Sequence, residues 1–151
     1  MDTERLKALL ESVAEGSCPV DEAIRKLRGM PFEDVEFVKI DHHRALRKGF
    51  PEVIFGAGKT TQQVVDITSR MREHGSNVLV TRCRSDTAAA VIHVHPEAVY
   101  NPQARALTLT TSPPTPLPGY VAILSAGTSD IPVAEEAAVT CFMMGVSVKQ
   151  V

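Results

Sequence analysis

The residues of this chain best suited to act together on a ligand are Ser125, Gly127, Thr128, Ser129 and Asp130. They follow an apolar run, Val121 to Leu124, which reads as a buried parallel strand, and they precede Pro132 and an amphipathic helix. A strand that ends in small and hydroxylated residues and runs into a helix start turns backbone N–H groups, and the positive end of the helix dipole, toward an anion. Asp130 adds a carboxylate that can hold a ribose hydroxyl, a metal ion or a proton. The same residues also make an ordinary helix cap, with Ser129 or Asp130 accepting from unpaired N–H groups. One residue can do both.

A second group lies upstream. Gly56-Ala-Gly-Lys59-Thr60 follows the apolar residues Val53 to Phe55 and precedes a helical pattern, as a phosphate loop does. The full P-loop needs a glycine five positions before the one that precedes the lysine, and that position is Val53. A nucleoside triphosphatase is therefore not expected. Two readings stay open: a single-anion site built from helix N-terminal amides, Lys59 and Thr60, or a glycine turn with a capping threonine. Arg82 follows a later strand. The C-terminal ends of parallel strands lie together, so Lys59 and Arg82 are expected to face one crevice, where an arginine fork binds phosphate bidentately. Arg44, Arg47, Lys48 and Arg84 add to the basic character, and each taken singly reads as solvated surface.

The remaining reactive side chains carry less. His42 and His43 are adjacent and cannot both face one metal from a regular helix. His93 and His95 would share a face only on a strand, and no cysteine or carboxylate pairs with them, so no metal site is assigned. Cys83 sits between Arg82 and Arg84, and cations favour thiolate. It is either a reactive thiol or an ordinary small residue after a strand, the second reading being preferred. Cys141 reads as packing beside Val139 and Phe142.

These groups need a frame. Leu6, Leu9, Leu10 and Val13 repeat at helical spacing, and a second short helix begins near Pro19 and closes at Gly29 and Pro31, giving a helical hairpin. Val35 to Ile40 reads as a strand, followed by a short basic helix or turn over 41–49. Glu52 to Phe55 and Val78 to Thr81 read as strands, with a helix over 60–74 whose inner face is Val64, Ile67, Thr68 and Met71. Ser85 or Asp86 is expected to cap an alanine-rich helix, and Ala106 to Thr110 alternates like an edge strand. Residues 111–119 hold four prolines and cannot continue a helix or a ladder. Beyond them come one strand, a helix over 132–144 ended by Gly145, and a strand-like tail. Strands alternating with helices give the α/β class. The organisation expected is an N-terminal α/β domain over 1–110 that begins with the helical hairpin, a proline-rich linker over 111–119, and the first strand–turn–helix of a further parallel-sheet domain over 120–151.

Composition sets the outer bounds. Hydrophobic residues make up 44% and charged residues 23% of the chain, as in globular proteins. A net charge of −2 speaks against a large nucleic-acid footprint. Three widely spaced cysteines suit a reducing cytoplasm better than a disulfide framework. The acidic, helical N-terminus is unlike a signal peptide, and no apolar run approaches a membrane span.

The stretch Ser125-Ala-Gly-Thr-Ser-Asp-Ile-Pro-Val-Ala-Glu-Glu-Ala-Ala resembles the first strand–turn–helix of the PurE class, the carboxyaminoimidazole ribonucleotide mutases. It is more similar to their relatives, the pyridinium biscarboxylic acid mononucleotide synthases, carboxylases of the nickel-pincer cofactor that serves lactate racemase. Arg47-Lys-Gly-Phe-Pro-Glu-Val-Ile-Phe-Gly-Ala-Gly-Lys-Thr and Leu79-Val-Thr-Arg resemble the N-terminal region of those carboxylases, which the purine mutases lack. In the mutases the turn reads Gly-Ser-x-Ser-Asp. Ser129 and Asp130 match its second serine and its aspartate, while Gly127 stands at the first serine and Ala126 at the glycine.

The resemblance implies a flavodoxin-like parallel sheet beginning at residue 120. It implies a cytoplasmic enzyme that adds carbon dioxide to the pyridinium ring of nicotinic acid adenine dinucleotide and cleaves the phosphoanhydride, releasing AMP. It implies homo-oligomers formed through the PurE-like domain, and admits Mg2+ in the full-length family. Asp130 would be catalytic, and Ser125, Gly127, Thr128, Ser129, Lys59, Thr60 and Arg82 would bind substrate. The thiolate that adds to the ring in these enzymes is expected beyond Val151, so neither Cys83 nor Cys141 inherits that role. Family members run on for roughly a further hundred residues, the size of one small domain. The alternatives are a relative of the purine mutases and a non-catalytic nucleotide-binding or interaction module.

Overall fold

The computed structural model describes residues 3–28, 32–35, 38–41, 50 and 52–151. The chain divides into two compact units, Met1–Glu52 and Val53–Val151, and the proline-rich stretch lies inside the second. The predicted basic segment 42–49, with His42, His43, Arg44, Arg47 and Lys48, lies outside the described residues.

In the first unit, α1 (Thr3–Ala14) and α2 (Val20–Arg28) form the expected hairpin. Leu9, Cys18 and Ala23 are buried between them, with Val13 and Leu27 packed alongside. Gly16 takes a left-handed conformation, φ 76°, to reverse the chain. The strand expected at 35–40 is instead two, β1 (Phe32–Val35) and β2 (Val38–Asp41), paired antiparallel with Phe32 opposite Asp41. An alternating run does not by itself reveal a chain reversal within it.

The second unit is α/β. Its sheet orders β3 (Val53–Phe55), β4 (Val78–Thr81), β6 (Ala106–Leu109) and β5 (Val99–Asn101). β3 and β4 are parallel, as the crossover helix α3 (Thr61–Glu73) requires, and the other pairs are antiparallel. β6 therefore lies in the sheet interior rather than at an edge, which its residues Ala106, Leu107 and Leu109, all buried, reflect. α3 starts where Thr60 closes a capping box with Gln63: Thr60 Oγ1 accepts from Gln63 N at 3.2 Å, and Gln63 Oε1 accepts from Thr60 N at 3.0 Å. The helix α4 (Ser85–Val94) is capped neither by Ser85 nor by Asp86; Arg84 holds the cap position, and Asp86 Oδ1 accepts from Thr87 N at 2.7 Å inside the first turn.

Strand register sorts the sheet into two faces. Val53, Leu79, Ala106, Thr108, Val99 and Asn101 align across the strands on one face, and Ile54, Val80 and Leu107 align on the other. The first face receives α5 (Ile131–Met143), whose Met143 and Val139 pack on Leu79, Ala104, Ala106 and Val53. The second is left to α3, which packs on α4 and β4. α5 is also the crossover between β7 (Tyr120–Ile123) and β8 (Ser147–Gln150), a parallel pair with Tyr120 opposite Ser147. A helix that serves two sheets needs apolar residues around most of its circumference, which its sequence supplies. The strand–helix–strand pattern expected at 120–151 is thus present. Burial of its first strand is not: Tyr120 is 60% and Leu124 77% exposed, because a two-stranded sheet has one helix on one face. No helix among the described residues is long and apolar enough to cross a membrane.

Candidate functional site

The turn between β7 and α5 is open along its whole length. Leu124 to Asp130 are all exposed. Gly127 bends it with φ 103°, and Asp130 N donates to Gly127 O at 3.3 Å. Val151 closes the other side, accepting from Ser125 N at 3.2 Å and donating to Ile123 O at 3.0 Å. Asp130 occupies the N-cap position of α5 with helical backbone angles, and its carboxylate makes no capping hydrogen bond. The cap that the sequence suggested for Asp130 is therefore made by its backbone alone: Asp130 O accepts from Val133 N and Ala134 N, each at 3.0 Å. Ser125, Gly127, Thr128, Ser129 and Asp130 lie together in this one turn.

Lys59, Thr60 and Arg82 gather at the C-terminal ends of β3 and β4. Gly56 N donates to Thr81 O at 2.8 Å, which draws the Gly56–Thr60 loop onto the end of β4. A Cβ at Gly56 would lie 2.9 Å from Thr81 O and 3.2 Å from Arg82 O, so only glycine allows this approach. The oxygen of Thr60 caps α3, leaving its O–H as a donor. Lys59 is half-buried. Arg82 has left-handed backbone, φ 52°, and forms an ion pair with Glu136 on α5, its Nε 2.9 Å from Glu136 Oε2. Arg84 is engaged elsewhere, with Nε and Nη2 each 3.0 Å from the Asp86 carboxylate. That bidentate pairing holds the Asp86 carboxyl below its usual range.

Cys83 is settled by burial. It is 1% exposed, and its pKa is pushed up to about 11, first by burial and then by the Asp86 carboxylate, against the smaller opposing effect of Arg84. At pH 8 the thiolate fraction falls about a hundredfold relative to an ordinary thiol, and the greater nucleophilicity of a more basic thiolate returns part of that loss. Alkylation of Cys83 in the folded chain is expected to run about tenfold or more slower than that of a free thiol. Iodoacetamide labelling followed by mass spectrometry checks this, and labelling at the free-thiol rate refutes it. The thiol favours the folded state below its ordinary pKa near 9.0, and that contribution is lost as pH rises toward 11.

Two contacts had no signal in the sequence. Glu136 reads as a plain helix-surface residue, yet it pairs with an arginine 54 positions earlier. His95, which would share a face with His93 only on a strand, follows the end of α4. It is buried, with Nε2 2.7 Å from Ser69 Oγ on α3. His93 is exposed. No group of three or more His, Cys, Asp or Glu side chains able to hold a metal occurs among the described residues. An apolar cleft of about 290 Å³ opens between α5 and the sheet, lined by Val99, Asn101, Ala106, Thr108, Val139 and Phe142 with Ala138. None of the predicted site residues lines it.

The model of the LarB/PurE-like N-terminal domain matches residues 32–111. An uncharacterized protein of Methanocaldococcus jannaschii is 32% identical over 150 residues, covering 95% of this chain and 59% of that protein. The chain thus spans little more than half the length of the relative it matches.

Proposed function

This chain belongs to the family of the LarB/PurE-like N-terminal domain, and from that membership we propose that it is the N-terminal part of a carboxylase acting on nicotinic acid adenine dinucleotide. The observation that carries the proposal is the β7–α5–β8 unit. It is a parallel strand–helix–strand with an exposed Ser/Gly/Thr/Asp turn at the C-terminal end of its first strand, where open α/β sheets bind ligands. It lies a short segment after the family-matched region. In this reading 111–119 joins the N-terminal domain to the start of a PurE-like one, and oligomers form through the latter.

The roles follow from the chemistry of each group. Ser125, Gly127, Thr128 and Ser129 offer hydroxyl and backbone N–H donors to a phosphate at the positive end of α5. Asp130, with its carboxylate uncommitted, is the group placed to accept a proton or a ribose hydroxyl. Lys59 and the Thr60 hydroxyl bind a second anionic group, the pyridine carboxylate or a phosphate, and the terminal nitrogens of Arg82 serve the same charge. The substrate carries both kinds of anion, and carbon dioxide is its co-substrate.

Calorimetry of this chain with nicotinic acid adenine dinucleotide tests the reading. A charge-assisted hydrogen bond contributes about 1.5–3 kcal/mol, so Lys59→Ala is expected to weaken binding about tenfold or more. Equal affinity in the variant would remove the Gly56–Thr60 loop from the site and leave it a structural turn.

A further inference from the structure

Arg82 is in an expensive conformation. For a residue with a Cβ the left-handed region is disfavoured, and glycine would occupy it freely. Such strain persists where the surroundings fix it, and it concentrates at functional positions. Arg82 is fixed from both sides. Its predecessor Thr81 accepts the 2.8 Å hydrogen bond from Gly56 N. Its successor Cys83 is buried, donates its N–H to Arg105 O at 2.7 Å, and accepts from the Tyr100 hydroxyl at 3.2 Å. Arg105 is also left-handed, φ 49°, but it closes the β5–β6 turn, where Asn101 Oδ1 takes the N–H groups of Gln103 and Ala104. Arg82 stands at a strand end, and its side chain is spent on a distant helix.

That helix is anchored unevenly. Met143, near the C-terminal end of α5, is 3% exposed in the cluster with Leu79, Ala104 and Ala106. In the N-terminal half Ala134 is the one buried side chain, and Val133 is largely exposed. Glu136 lies about two turns before Met143, and its side chain is only 21% exposed. The Arg82–Glu136 pair is shielded on the Glu136 side, and it grips the half of α5 whose one buried apolar side chain is the small Ala134. The half so gripped is the one continuous with the turn 125–130.

We propose that Arg82 is a positioning residue: through Glu136 it seats the N-terminal half of α5 on the end of β4, and so sets where the turn 125–130 stands relative to Lys59. The pair uses Nε, which leaves the two terminal nitrogens directed by the same tether. The structural link stands on geometry, and its use in placing an anionic substrate rests on the function proposed above.

Hydrogen exchange of this chain, read by mass spectrometry, tests the link. Glu136→Ala keeps the best helix former in α5, so the helix itself is not penalised. Peptides covering 125–137 are expected to exchange about fivefold faster or more, while those covering β4 and α3 are unchanged. Arg82→Gly relieves the backbone strain, so the melting temperature should hold or rise even as the same peptides exchange faster. A purely structural role would make stability and local exchange move together. The reversed pair, Arg82→Glu with Glu136→Arg, should restore protection over 125–137. Unchanged exchange in Glu136→Ala, or no rescue by the reversed pair, overturns the proposal. Binding of nicotinic acid adenine dinucleotide is a separate readout: its absence in the unsubstituted chain refutes the proposed substrate, while the exchange results alone decide the tether.

Discussion

Gly145→Ala is expected to destabilise the β7–α5–β8 unit by about 3 kcal/mol, the sum of a backbone cost and a clash. Gly145 ends α5 with φ 77°, its N–H donating to Phe142 O at 2.9 Å while Val146 N returns to Cys141 O at 2.9 Å. This is the left-handed helix ending that glycine favours. A Cβ there would sit 2.0 Å from the backbone oxygen of Thr115 and 2.9 Å from its carbonyl carbon. That segment cannot step aside cheaply. Pro113, Pro114, Pro116 and Pro118 stiffen it, and Leu117 N is bound to Gly145 O itself at 2.8 Å. Gly127→Ala is the control, since Gly127 has φ 103° and open space around its Cβ position. It bears the backbone cost without the clash. Urea titrations of both variants separate the two contributions, and a Gly145→Ala chain no less stable than Gly127→Ala would remove the steric part of the argument.

Asp130→Asn is expected to lower turnover about a hundredfold or more in a chain that continues past Val151, with little change in substrate affinity. The reasoning starts from the cap. Asn serves as well as Asp at an N-cap, and the Asp130 side chain makes no capping bond that could be lost. The substitution is therefore close to silent in stability and removes the negative charge and, with it, the ability to carry a proton. Steady-state kinetics on the two chains give the answer. A kcat within about threefold of the parent would assign Asp130 to binding or to no role, because proton transfer by a placed side chain is worth orders of magnitude.

What could be read in advance followed local chemistry. Thr60 announces the start of α3, and Gly145 announces the end of α5, because caps are set by residues within one turn. The apolar face Val64, Ile67, Thr68 and Met71 is buried as its spacing requires. The errors fall where the answer depends on distant partners. Ala106 to Thr110 alternates like an edge strand, but the strand it forms, β6, is flanked by β4 and β5. Val121 to Leu124 is apolar like a core strand but has a helix on one side only. The preferred reading of Cys83 as an ordinary small residue agrees with its surroundings: Arg84 is paired with Asp86, and burial dominates the thiol. The turn 125–130 could be located from its residue types, and Lys59 and Arg82 could be set at one sheet end from the strand pattern. The hold that Arg82 has on Glu136 could not, since no periodicity links positions so far apart.

The dual service of α5 also has a consequence for biosynthesis. Leu79, Ala104 and Ala106 are covered by Met143 and Val139, which leave the ribosome well after the sheet they cover. At translation rates of roughly 5–20 residues per second, the sheet face waits roughly 2–7 s for its helix. During that interval it shows the nascent chain's surroundings a strip of apolar side chains that the finished protein hides. A pause in translation between the codons for Leu109 and Ile131 would lengthen the interval during which that strip stays uncovered.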